Sequence, residues 1–401
     1  MSDSAGASSA QPGGRRALGP GAGSSASGRG RARRRRRRWA CGTGLAVALV
    51  LLAAAGAGWA VYRKLEGNIT PDEAAAAELA RYEEERPAAL AEGARNILLI
   101  GSDSRSGDEN RRYGRDAGTE RSDTVILLHL SAGRRGATAV SVPRDLMVDV
   151  PGCRRPDGSR SEPMFTMFNS AFALGGSACT IRTVEKLTDI RVDHHVVVDF
   201  AGFKDMVDAV DGVEVCLREP VDDEDAELKL PAGRVTLNGE QALGYVRARK
   251  TLGDGSDTSR MERQQRFLGA LVNKVSGNDV LLNPVKLYPV LDAATSSLTT
   301  DPGLASLRSL YDLARGLREI PAEGVRFLTV PREPYAGNAD RDQLAQPAAE
   351  KLFERLRRDA PVQVDTDSDT KGTERESVKP SGRTSPAPTF SGNTAAEDTC
   401  A

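Results

Sequence analysis

This chain of 401 residues contains an uncharged stretch of 24 residues, Trp39–Tyr62. A helix of that length rises about 36 Å, which is enough to cross a bilayer. The basic run Arg33–Arg38 directly precedes the stretch, and aromatic side chains mark its two ends. Because basic residues stay on the cytoplasmic side, the sequence predicts a single N-terminal transmembrane helix with a cytoplasmic amino terminus and an extracytoplasmic body.

A cleaved signal peptide is the alternative interpretation of this stretch. It is rich in Ala and Gly, and Ala55-Gly56-Ala57 has the small residues of a cleavage site. The apolar core of a signal peptide usually has about 7–15 residues, and the present stretch is longer, which favours the anchor. Under both interpretations the body of the protein is exported.

Charge is unevenly distributed along the chain. The net charge is −1, but residues 1–38 hold ten Arg and one acid and so carry +9, which leaves −10 for the remainder. A basic tail ahead of an acidic body argues against a DNA-binding domain with a basic face. The arginine run therefore fits a membrane-targeting role, and nucleic acid is not an expected partner.

Composition divides the chain into five segments. Both ends are rich in small and polar residues without apolar periodicity, and the segment after the uncharged stretch is rich in Ala and Glu. We expect a disordered basic cytoplasmic tail (1–38), a transmembrane anchor (39–62), a polar helical stalk broken at Pro87 (63–92), an extracytoplasmic folded domain (93–362) and a disordered tail (363–401).

Short apolar runs alternate with helical spacing in the folded domain. Strands that alternate with helices indicate an α/β protein, here a three-layer α/β/α sandwich with a central mixed sheet. The predicted strands are Asn96–Ile100, Val125–Leu130, Ala137–Val142, His195–Phe200 and Val213–Leu217, and the predicted helices are Ser177–Leu187, Gly202–Val210 and Arg260–Val275.

The five cysteines agree with export. Cys153 and Cys179 lie in Gly-rich, loop-like surroundings, and a disulfide between them would contribute about 3 kcal/mol. Cys216 lies in an apolar strand and is predicted to be a buried thiol. The sequence contains neither a CxxC pair nor a close His–Cys cluster, so a zinc site is not expected.

The common signatures of nucleotide binding and nucleophilic catalysis are missing from the sequence. It has no P-loop, no nucleophile elbow and no HExxH motif. His129 lies inside an apolar strand and is predicted to be a core residue. His194 and His195 are adjacent on a strand and so point to opposite faces, which argues against a ligand pair.

Acidic residues and arginines collect instead at strand ends, where α/β sheets bind ligands. Taken singly, each is usually a turn residue or a solvated charge. The groups are Asp103 and Arg105 after the first strand, Arg121 and Asp123 before the second, Arg144 and Asp145 after the third, Arg247 and Arg249 in a run predicted as a strand, and Arg260, Arg263 and Gln264 on one helix face.

Two arginines on one strand face repel each other unless an anion lies between them. Arginine matches phosphate oxygens with its planar fork, whereas carboxylates would repel the same phosphates. A bound Mg²⁺ would explain why carboxylates and arginines occur together at a phosphate site, because this ion is typically held by one or two carboxylates together with substrate phosphates. The residues therefore predict an exported domain that binds a pyrophosphate with Mg²⁺.

Seven ordered blocks over about residues 96–275 resemble the LytR-CpsA-Psr family. They are NILLIGSDSR, ERSDTVILLHL, ATAVSVPRDLMV, MFNSAFALGG, VVVDFAGFKDMVDAVDGVEV, LPAGRVTLNGEQALGYVRARK and RMERQQRFL. The resemblance implies an extracytoplasmic α/β/α catalytic domain that attaches glycopolymers such as teichoic acids to peptidoglycan. The implied donor is a polymer on a polyprenyl-pyrophosphate lipid, and the implied acceptor is the 6-hydroxyl of N-acetylmuramic acid.

Matched motif by motif, the resemblance also implies roles for single residues. Asp257 is the best match to an acid in the family's acidic, Gly-rich loop, and His195 stands where the family pattern has an aromatic residue. The implied ligands of Mg²⁺ (or Mn²⁺) are Asp103 and Asp123, the implied catalytic arginines are Arg121, Arg144, Arg247 and Arg249, and the implied substrate-binding residues are Arg105, Arg260, Arg263 and Gln264.

The implied reaction is a phosphotransfer in which the acceptor hydroxyl attacks the sugar-linked phosphorus and polyprenyl phosphate leaves. Such a transfer needs positioning and charge neutralisation more than a covalent intermediate. The candidates for the general base are Asp145 and a metal-binding aspartate. Hydrolysis of the pyrophosphate lipid and non-enzymatic regulation of envelope genes are the alternative functions.

The lipid tail of such a donor needs an apolar slot. One stripe of large apolar residues is a candidate for it, and ordinary core packing explains the same stripe. The residues are Met164, Phe165, Met167, Phe168, Phe172 and Leu174.

Overall fold

The structure is a computed structural model that describes residues 28–89, 93–103, 122–248, 251–252, 256–276, 284–365 and 389–397. The chain divides into two compact units, residues 1–62 and 63–401. Helix α1 (Gly28–Asn68) begins in the first unit and ends in the second. Its part Cys41–Asn68 contains an 18-residue window with a mean hydropathy of 2.1 and is long and apolar enough to cross a membrane.

A mixed sheet of nine described strands forms the centre of the second unit. Its strands are β1 (Thr70–Pro71), β2 (Arg95–Ser102), β3 (Ser122–Leu130), β4 (Ala137–Val142), β7 (His194–Val198), β12 (Leu298–Thr300), β13 (Val325–Thr329), β16 (Gln363–Asp365) and β17 (Thr389–Thr394). Their order across the sheet is β1-β12-β7-β2-β3-β4-β13-β17-β16. The sheet contains both parallel neighbours, such as β2 and β7, and antiparallel neighbours, such as β2 and β3.

Helices cover both faces of the sheet, which confirms the predicted α/β/α sandwich. Successive residues of a strand point to opposite faces, so Val125 and Leu127 join one core while Ile126 joins the other. The first core packs against α2 (Glu73–Ala80), α3 (Ser170–Thr188) and α9 (Ala348–Arg357), and the second packs against α6 (Asp257–Ser276) and α8 (Leu307–Arg318).

A smaller lobe with its own hydrophobic core packs against α6. Val215, Leu237 and Phe267 are buried in this core. The lobe contains α4 (Phe200–Ala209), β8 (Val213–Leu217), β9 (Val221–Asp223), β10 (Leu228–Leu230), β11 (Gly233–Leu237) and α5 (Gly239–Arg247). Helix α7 (Pro284–Ser297) lies beside α4.

Two more hairpins lie elsewhere along the chain. The first consists of β5 (Met147–Val150) and β6 (Met164–Met167), and the second consists of β14 (Arg332–Tyr335) and β15 (Asn338–Leu344).

The predicted polar stalk is instead part of the folded unit. Ala75 and Leu79 of α2 are buried in the first core, and Arg86 forms an ion pair of 2.8 Å with Glu185 of α3. The Ala- and Glu-rich composition concealed these contacts because only a few positions of α2 face the core. Residues 90–92 of the predicted stalk lie outside the described residues.

Asp72 ties the segment after α1 to the sheet. Its carboxylate accepts hydrogen bonds from Ala75 N, from Ser177 Oγ and from His195 Nε2, the last at 3.2 Å. Burial alone would raise the pKa of Asp72, but the hydrogen bonds from His195, Ser177 and Ala75 outweigh burial and lower it to about 2 from an ordinary 3.8. His195, which departs from the family pattern, is therefore a structural partner of Asp72.

Replacing Asp72 by Asn should reveal this contribution as a pH-dependent stability difference. The lowered pKa means that the ionised carboxylate stabilises the fold above about pH 4, and that this stabilisation is lost as the pH falls towards 2. We expect the unfolding free energy of the wild type to exceed that of Asp72→Asn by about 1–2 kcal/mol at pH 6, allowing for the partial exposure of the carboxylate to solvent. This difference should shrink below pH 4. Urea unfolding at several pH values measures it, and a difference that is constant from pH 6 to pH 2.5 would contradict the assignment.

The C-terminal segment is not disordered throughout, contrary to the prediction for residues 363–401. β17 pairs antiparallel with β13 and parallel with β16, and Phe390 is buried in the first core. The low apolar content of the segment hid this strand, because only one large side chain anchors it. The rest of the predicted tail, 366–388 and 398–401, lies outside the described residues.

The structure shows one disulfide that the sequence left open, and it corrects one prediction. Cys153 and Cys179 form a disulfide with an S–S distance of 2.02 Å across 26 residues of sequence. Cys216 is also disulfide-bonded and half-buried, so the prediction of a buried thiol was wrong. The reason is the two-residue period of β8, which turns Val215 and Leu217 towards the core and Cys216 away from it.

Removing the Cys153–Cys179 disulfide should destabilise the fold. We expect the double variant Cys153→Ala/Cys179→Ala to lose about 3 kcal/mol of unfolding free energy, because the unfolded chain is no longer constrained by the closed loop. Denaturant unfolding measures the loss, with Cys41→Ala, at the exposed free cysteine, as the matched control. Equal stability of the two variants would contradict this role.

Candidate functional site

Arg144 is the centre of a cluster of acidic side chains at the end of β4. Its Nη1 donates to Asp123 Oδ1 at 3.1 Å and its Nε donates to Asp145 Oδ2 at 3.3 Å, while Asp257 Oδ1 lies 3.9 Å from Nε. The third nitrogen, Nη2, has no hydrogen-bond partner among the described residues. Within the described part of the chain, Arg144 therefore keeps one end of its fork available for an anion.

The electrostatic balance keeps this arginine charged. Burial opposes the charge of the Arg144 guanidinium and would lower its pKa, but Asp145, Asp123 and Asp257 outweigh burial, and the pKa of Arg144 is raised. The carboxylate of Asp123 is itself 40% exposed. The three acids come from the start of β3, the loop after β4 and the first turn of α6, so the fold brings distant parts of the sequence to one point.

Asp257 joins this cluster to the first turn of α6. Its Oδ1 forms an ion pair with Nη2 of Arg260, which lies one turn later on the same face. The other oxygen, Oδ2, is buried and accepts no hydrogen bond within the described part of the chain. A buried carboxylate oxygen without a donor is unfavourable, and it suits contact with a cation or with a protonated ligand atom.

Arg263 does not have the arrangement expected of a phosphate-binding residue. Its guanidinium donates to the backbone carbonyl oxygens of Tyr245, Leu252 and Ala248, and the side chain is buried. Burial lowers its pKa. Because these donors are already in use, the structure favours a positioning role, in which Arg263 holds the link between α5 and α6.

Gln264 bridges two elements of the site. Its amide nitrogen donates to the carbonyl oxygen of Val246 at 3.2 Å, and its amide oxygen accepts from Thr124 Oγ1 at 3.4 Å. The side chain therefore connects α5 to the start of β3, next to Asp123. A substrate-binding role for Gln264 stays a prediction.

The segment around Arg247 is helical, so the prediction of a strand with two arginines on one face was wrong. Residues 239–247 form α5, which begins at a capping box in which Asn238 and Gln241 cap each other. The Asn-x-x-Gln spacing was the sequence signal for this helix, and the apolar run Leu-Gly-Tyr-Val concealed it. Arg247 ends the helix with its guanidinium 4.8 Å from the ring of Phe200.

The remaining predicted residues divide into described and undescribed positions. Asp103 follows β2 directly, and β2 pairs with β3 so that Ser102 lies opposite Ser122. Asp103 and Asp123 therefore lie at the same edge of the sheet. Three of the predicted site residues lie outside the described residues, namely Arg105, Arg121 and Arg249.

The described acids fit a divalent cation only in part. No cluster of three or more His, Cys, Asp or Glu side chains able to hold a metal occurs within the described ranges. Mg²⁺ does not require such a cluster, since one or two carboxylates and substrate phosphates suffice. Asp103 and Asp123 at one sheet edge and the buried Oδ2 of Asp257 are oxygen ligands of the right chemistry.

Sequence reasoning missed two arginines that reach the site from the β14–β15 hairpin. Arg341 Nη1 donates to Asp145 Oδ1 at 3.2 Å, and Arg332 forms an ion pair with Asp342 and donates to Thr258 Oγ1 on α6. Both lie beyond the blocks that carry the family resemblance, and the short polar strands around them give no distinctive sequence signal. Both oxygens of Asp145 thus accept from arginines, which disfavours Asp145 as general base.

A cavity of about 890 Å³ opens beside Ser102, at the carboxyl end of β2. Of the six residues considered for a lipid slot only Phe172 lines it, whereas Phe168 is fully buried and Phe165 is exposed, so the six do not share one slot. The lining is mixed, with Val197 and Leu298 beside charged groups. The charged side chains are those of Asp72, Glu78, Arg81, Arg154, Arg155, Asp199 and Asp205.

Comparisons with known proteins agree with this fold. The chain is 37% identical over 272 residues to "Probable cell wall biosynthesis protein LcpB" of Corynebacterium glutamicum, a match over 65% of this chain and 61% of that protein. It is 32% identical over 216 residues to "Polyisoprenyl-teichoic acid--peptidoglycan teichoic acid transferase TagU" of Enterococcus faecalis, over 54% and 64% respectively. The chain thus spans less than two thirds of these relatives' own length.

Solved structures show the same architecture. Bacillus subtilis TagV superposes with a TM-score of 0.53 at 25% identity, over 68% of this chain and 100% of that chain. A LytR-Csp2A-Psr enzyme from Actinomyces oris superposes with a TM-score of 0.53 at 23% identity, over 68% and 93%. The family model LytR_cpsA_psr matches residues 66–358, which is most of the chain. The protein therefore belongs to the LytR_cpsA_psr family.

Proposed function

We propose that this chain transfers a glycopolymer with its phosphate from a polyprenyl-pyrophosphate carrier to the 6-hydroxyl of N-acetylmuramic acid in peptidoglycan. The proposal rests on Arg144, which is held by Asp123 and Asp145 and whose Nη2 has no hydrogen-bond partner among the residues that the structure describes. The relatives named as transferases of teichoic acid to peptidoglycan support the same reaction.

In this proposal Arg144 receives an oxygen of the diphosphate at Nη2, and Arg247 and Arg260 add positive charge around it. The acceptor hydroxyl oxygen forms a bond to the sugar-linked phosphorus, the bond from that phosphorus to the bridging oxygen breaks, and polyprenyl phosphate leaves. The hydroxyl proton passes to a carboxylate, for which Asp103 and Asp123 remain the candidates. Charge neutralisation by prearranged arginines is the main source of rate enhancement in such a site.

A divalent cation, Mg²⁺ or Mn²⁺, is part of the proposal. Asp103 and Asp123 would hold it, and when bound it would neutralise charge on the diphosphate. The oxygen chemistry of these residues supports the assignment.

The membrane orientation is proposed on the same basis. The basic run Arg33–Arg38 favours a cytoplasmic amino terminus, and the Cys153–Cys179 disulfide favours an oxidising, extracytoplasmic location for the second unit. The partners in this arrangement are the cytoplasmic membrane, the lipid-linked glycopolymer and peptidoglycan.

A reconstituted transfer assay tests the function. The full chain in lipid nanodiscs is incubated with a polyprenyl-pyrophosphate-linked saccharide, peptidoglycan fragments and Mg²⁺. We expect a muropeptide that carries the saccharide through a phosphodiester. Release of saccharide phosphate without a conjugate would identify a hydrolase, and absence of any turnover would support a regulator. Either result would contradict the proposal.

A further inference from the structure

Two hairpins extend from the charged cluster around Arg144. The first, β5–β6, begins two residues after Asp145, and the backbone amide of Phe168 at its end donates to the carbonyl oxygen of Leu146 at 2.8 Å. The second, β14–β15, is fixed to the same place by Arg341, which contacts Asp145, and by the amide of Asp342, which donates to the carbonyl oxygen of Asp145 at 3.3 Å. The two hairpins thus form one continuous wall beside the site.

An aromatic pair connects the two hairpins away from the charged cluster. The rings of Phe165 on β6 and Tyr335 on β14 lie 5.8 Å apart at an interplanar angle of 55°. Phe165 is 51% exposed, and its neighbour Met164 is 37% exposed. Met164 and Phe165 are consecutive in a strand and so point to opposite faces of the hairpin, which leaves the aromatic pair as the exposed surface on the face of Phe165. An exposed pair of aromatic rings offers a surface on which the apolar face of a ligand can pack.

We propose that Phe165 and Tyr335 form a stacking platform for a sugar ring of a substrate glycan. This inference rests on the proposed function and adds the site that holds the saccharide part. The apolar C–H face of a pyranose packs on an aromatic ring, while the sugar hydroxyls need polar partners around it. Asp149 lies directly opposite Phe165 in the hairpin and so shares its face, where it can accept hydrogen bonds from hydroxyls.

The position of the platform suits a glycan better than a lipid chain. Phe165 lies two residues from Met167, which pairs with Met147, two residues after Asp145. Four fully extended residues span roughly 13 Å at about 3.3 Å per residue, and because Asp145 lies in a turn the platform is no farther than that from Asp145 along the strand direction. A bare hydrocarbon chain would have to lie against the charged Asp149, whereas a hydroxylated ring satisfies it.

Substrate kinetics of platform variants test the proposal. Phe165→Ala/Tyr335→Ala is compared with Phe165→Tyr/Tyr335→Phe, which keeps both rings, and with Tyr311→Ala, which removes an exposed ring from α8. We expect the alanine variant to raise one KM about 10-fold at nearly unchanged kcat, the variant that keeps both rings to raise the same KM less than the alanine variant does, and Tyr311→Ala to stay within twofold of wild type. A raised KM for the lipid-linked donor would assign the platform to the glycopolymer, and a raised KM for peptidoglycan would assign it to the acceptor glycan. Unchanged KM values for both substrates would overturn the proposal.

A binding measurement separates failure of the platform from failure of the proposed function. Calorimetric titration of the full chain with glycan-strand oligosaccharides, and separately with phosphate-free donor oligosaccharide, does not require transfer. We expect one of the two to bind wild type about 10-fold more tightly than the alanine variant. If neither shows a difference, and the variant instead loses affinity for lipid vesicles, the platform binds lipid and the proposal is wrong.

Discussion

Arg144→Ala should lower the transfer rate at least ~100-fold. The substitution removes the guanidinium whose Nη2 is available for the diphosphate, and a single preorganised donor at a developing charge is worth about 10²–10³ in rate. It also leaves Asp123, Asp145 and Asp257 without their common cation, so the remaining carboxylates repel the phosphates. The initial rate of conjugate formation at saturating donor measures the effect.

Two control variants separate this effect from a general loss of structure. Arg144→Lys keeps the charge but not the planar fork, and we expect an intermediate rate. Arg315→Ala removes an arginine that is 67% exposed on α8 and should leave the rate unchanged. An Arg144→Ala protein that is folded, as judged by thermal unfolding, and transfers within threefold of wild type would exclude Arg144 from the reaction.

Asp123→Ala should lower the rate at least ~10-fold and shift its metal dependence. If Asp123 holds the cation, its removal raises the Mg²⁺ concentration needed for half-maximal rate, whereas Arg144→Ala leaves that concentration nearly unchanged. A Mg²⁺ titration of the transfer rate distinguishes the two cases. Asp222→Ala, at an exposed acid paired with Lys229, is the matched control.

The Mg²⁺ titration can contradict the role of Asp123 in metal binding. A full rate in the presence of a chelator, or the same half-maximal Mg²⁺ concentration for wild type and Asp123→Ala, would remove the cation from the proposed site. A loss of rate with unchanged metal dependence would leave Asp123 as a partner of Arg144 alone.

The sheet was predictable because its strands carry strong apolar runs. The first four predicted strands of the sheet match β2, β3, β4 and β7 closely, and His129 is buried between Asn96 and Asp359 as a core residue. Such runs are long enough to identify buried strands without any tertiary information. The outer strand β17 was not predictable, because its stability comes from pairing with β13 and β16 rather than from its own composition.

The candidate site was predictable in part, for a similar reason. Strand ends carry Asp123 and Arg144, and their convergence follows from the sheet topology. The role of Arg263 was not predictable, since its use of three backbone carbonyl groups depends on the path of the link between α5 and α6. The contact of Arg341 was not predictable either, because a hairpin more than 190 residues away in sequence brings it to Asp145.

A crystal structure of the full chain with a polyprenyl diphosphate and Mn²⁺ would show whether Arg144 and Asp123 bind the diphosphate and the metal. Anomalous scattering locates the metal, and the electron density locates the two phosphates. We expect a phosphate oxygen within hydrogen-bond distance of Arg144 Nη2 and a metal bound by Asp123. A diphosphate bound at another surface, with Arg144 still in contact with carboxylates alone, would contradict this expectation.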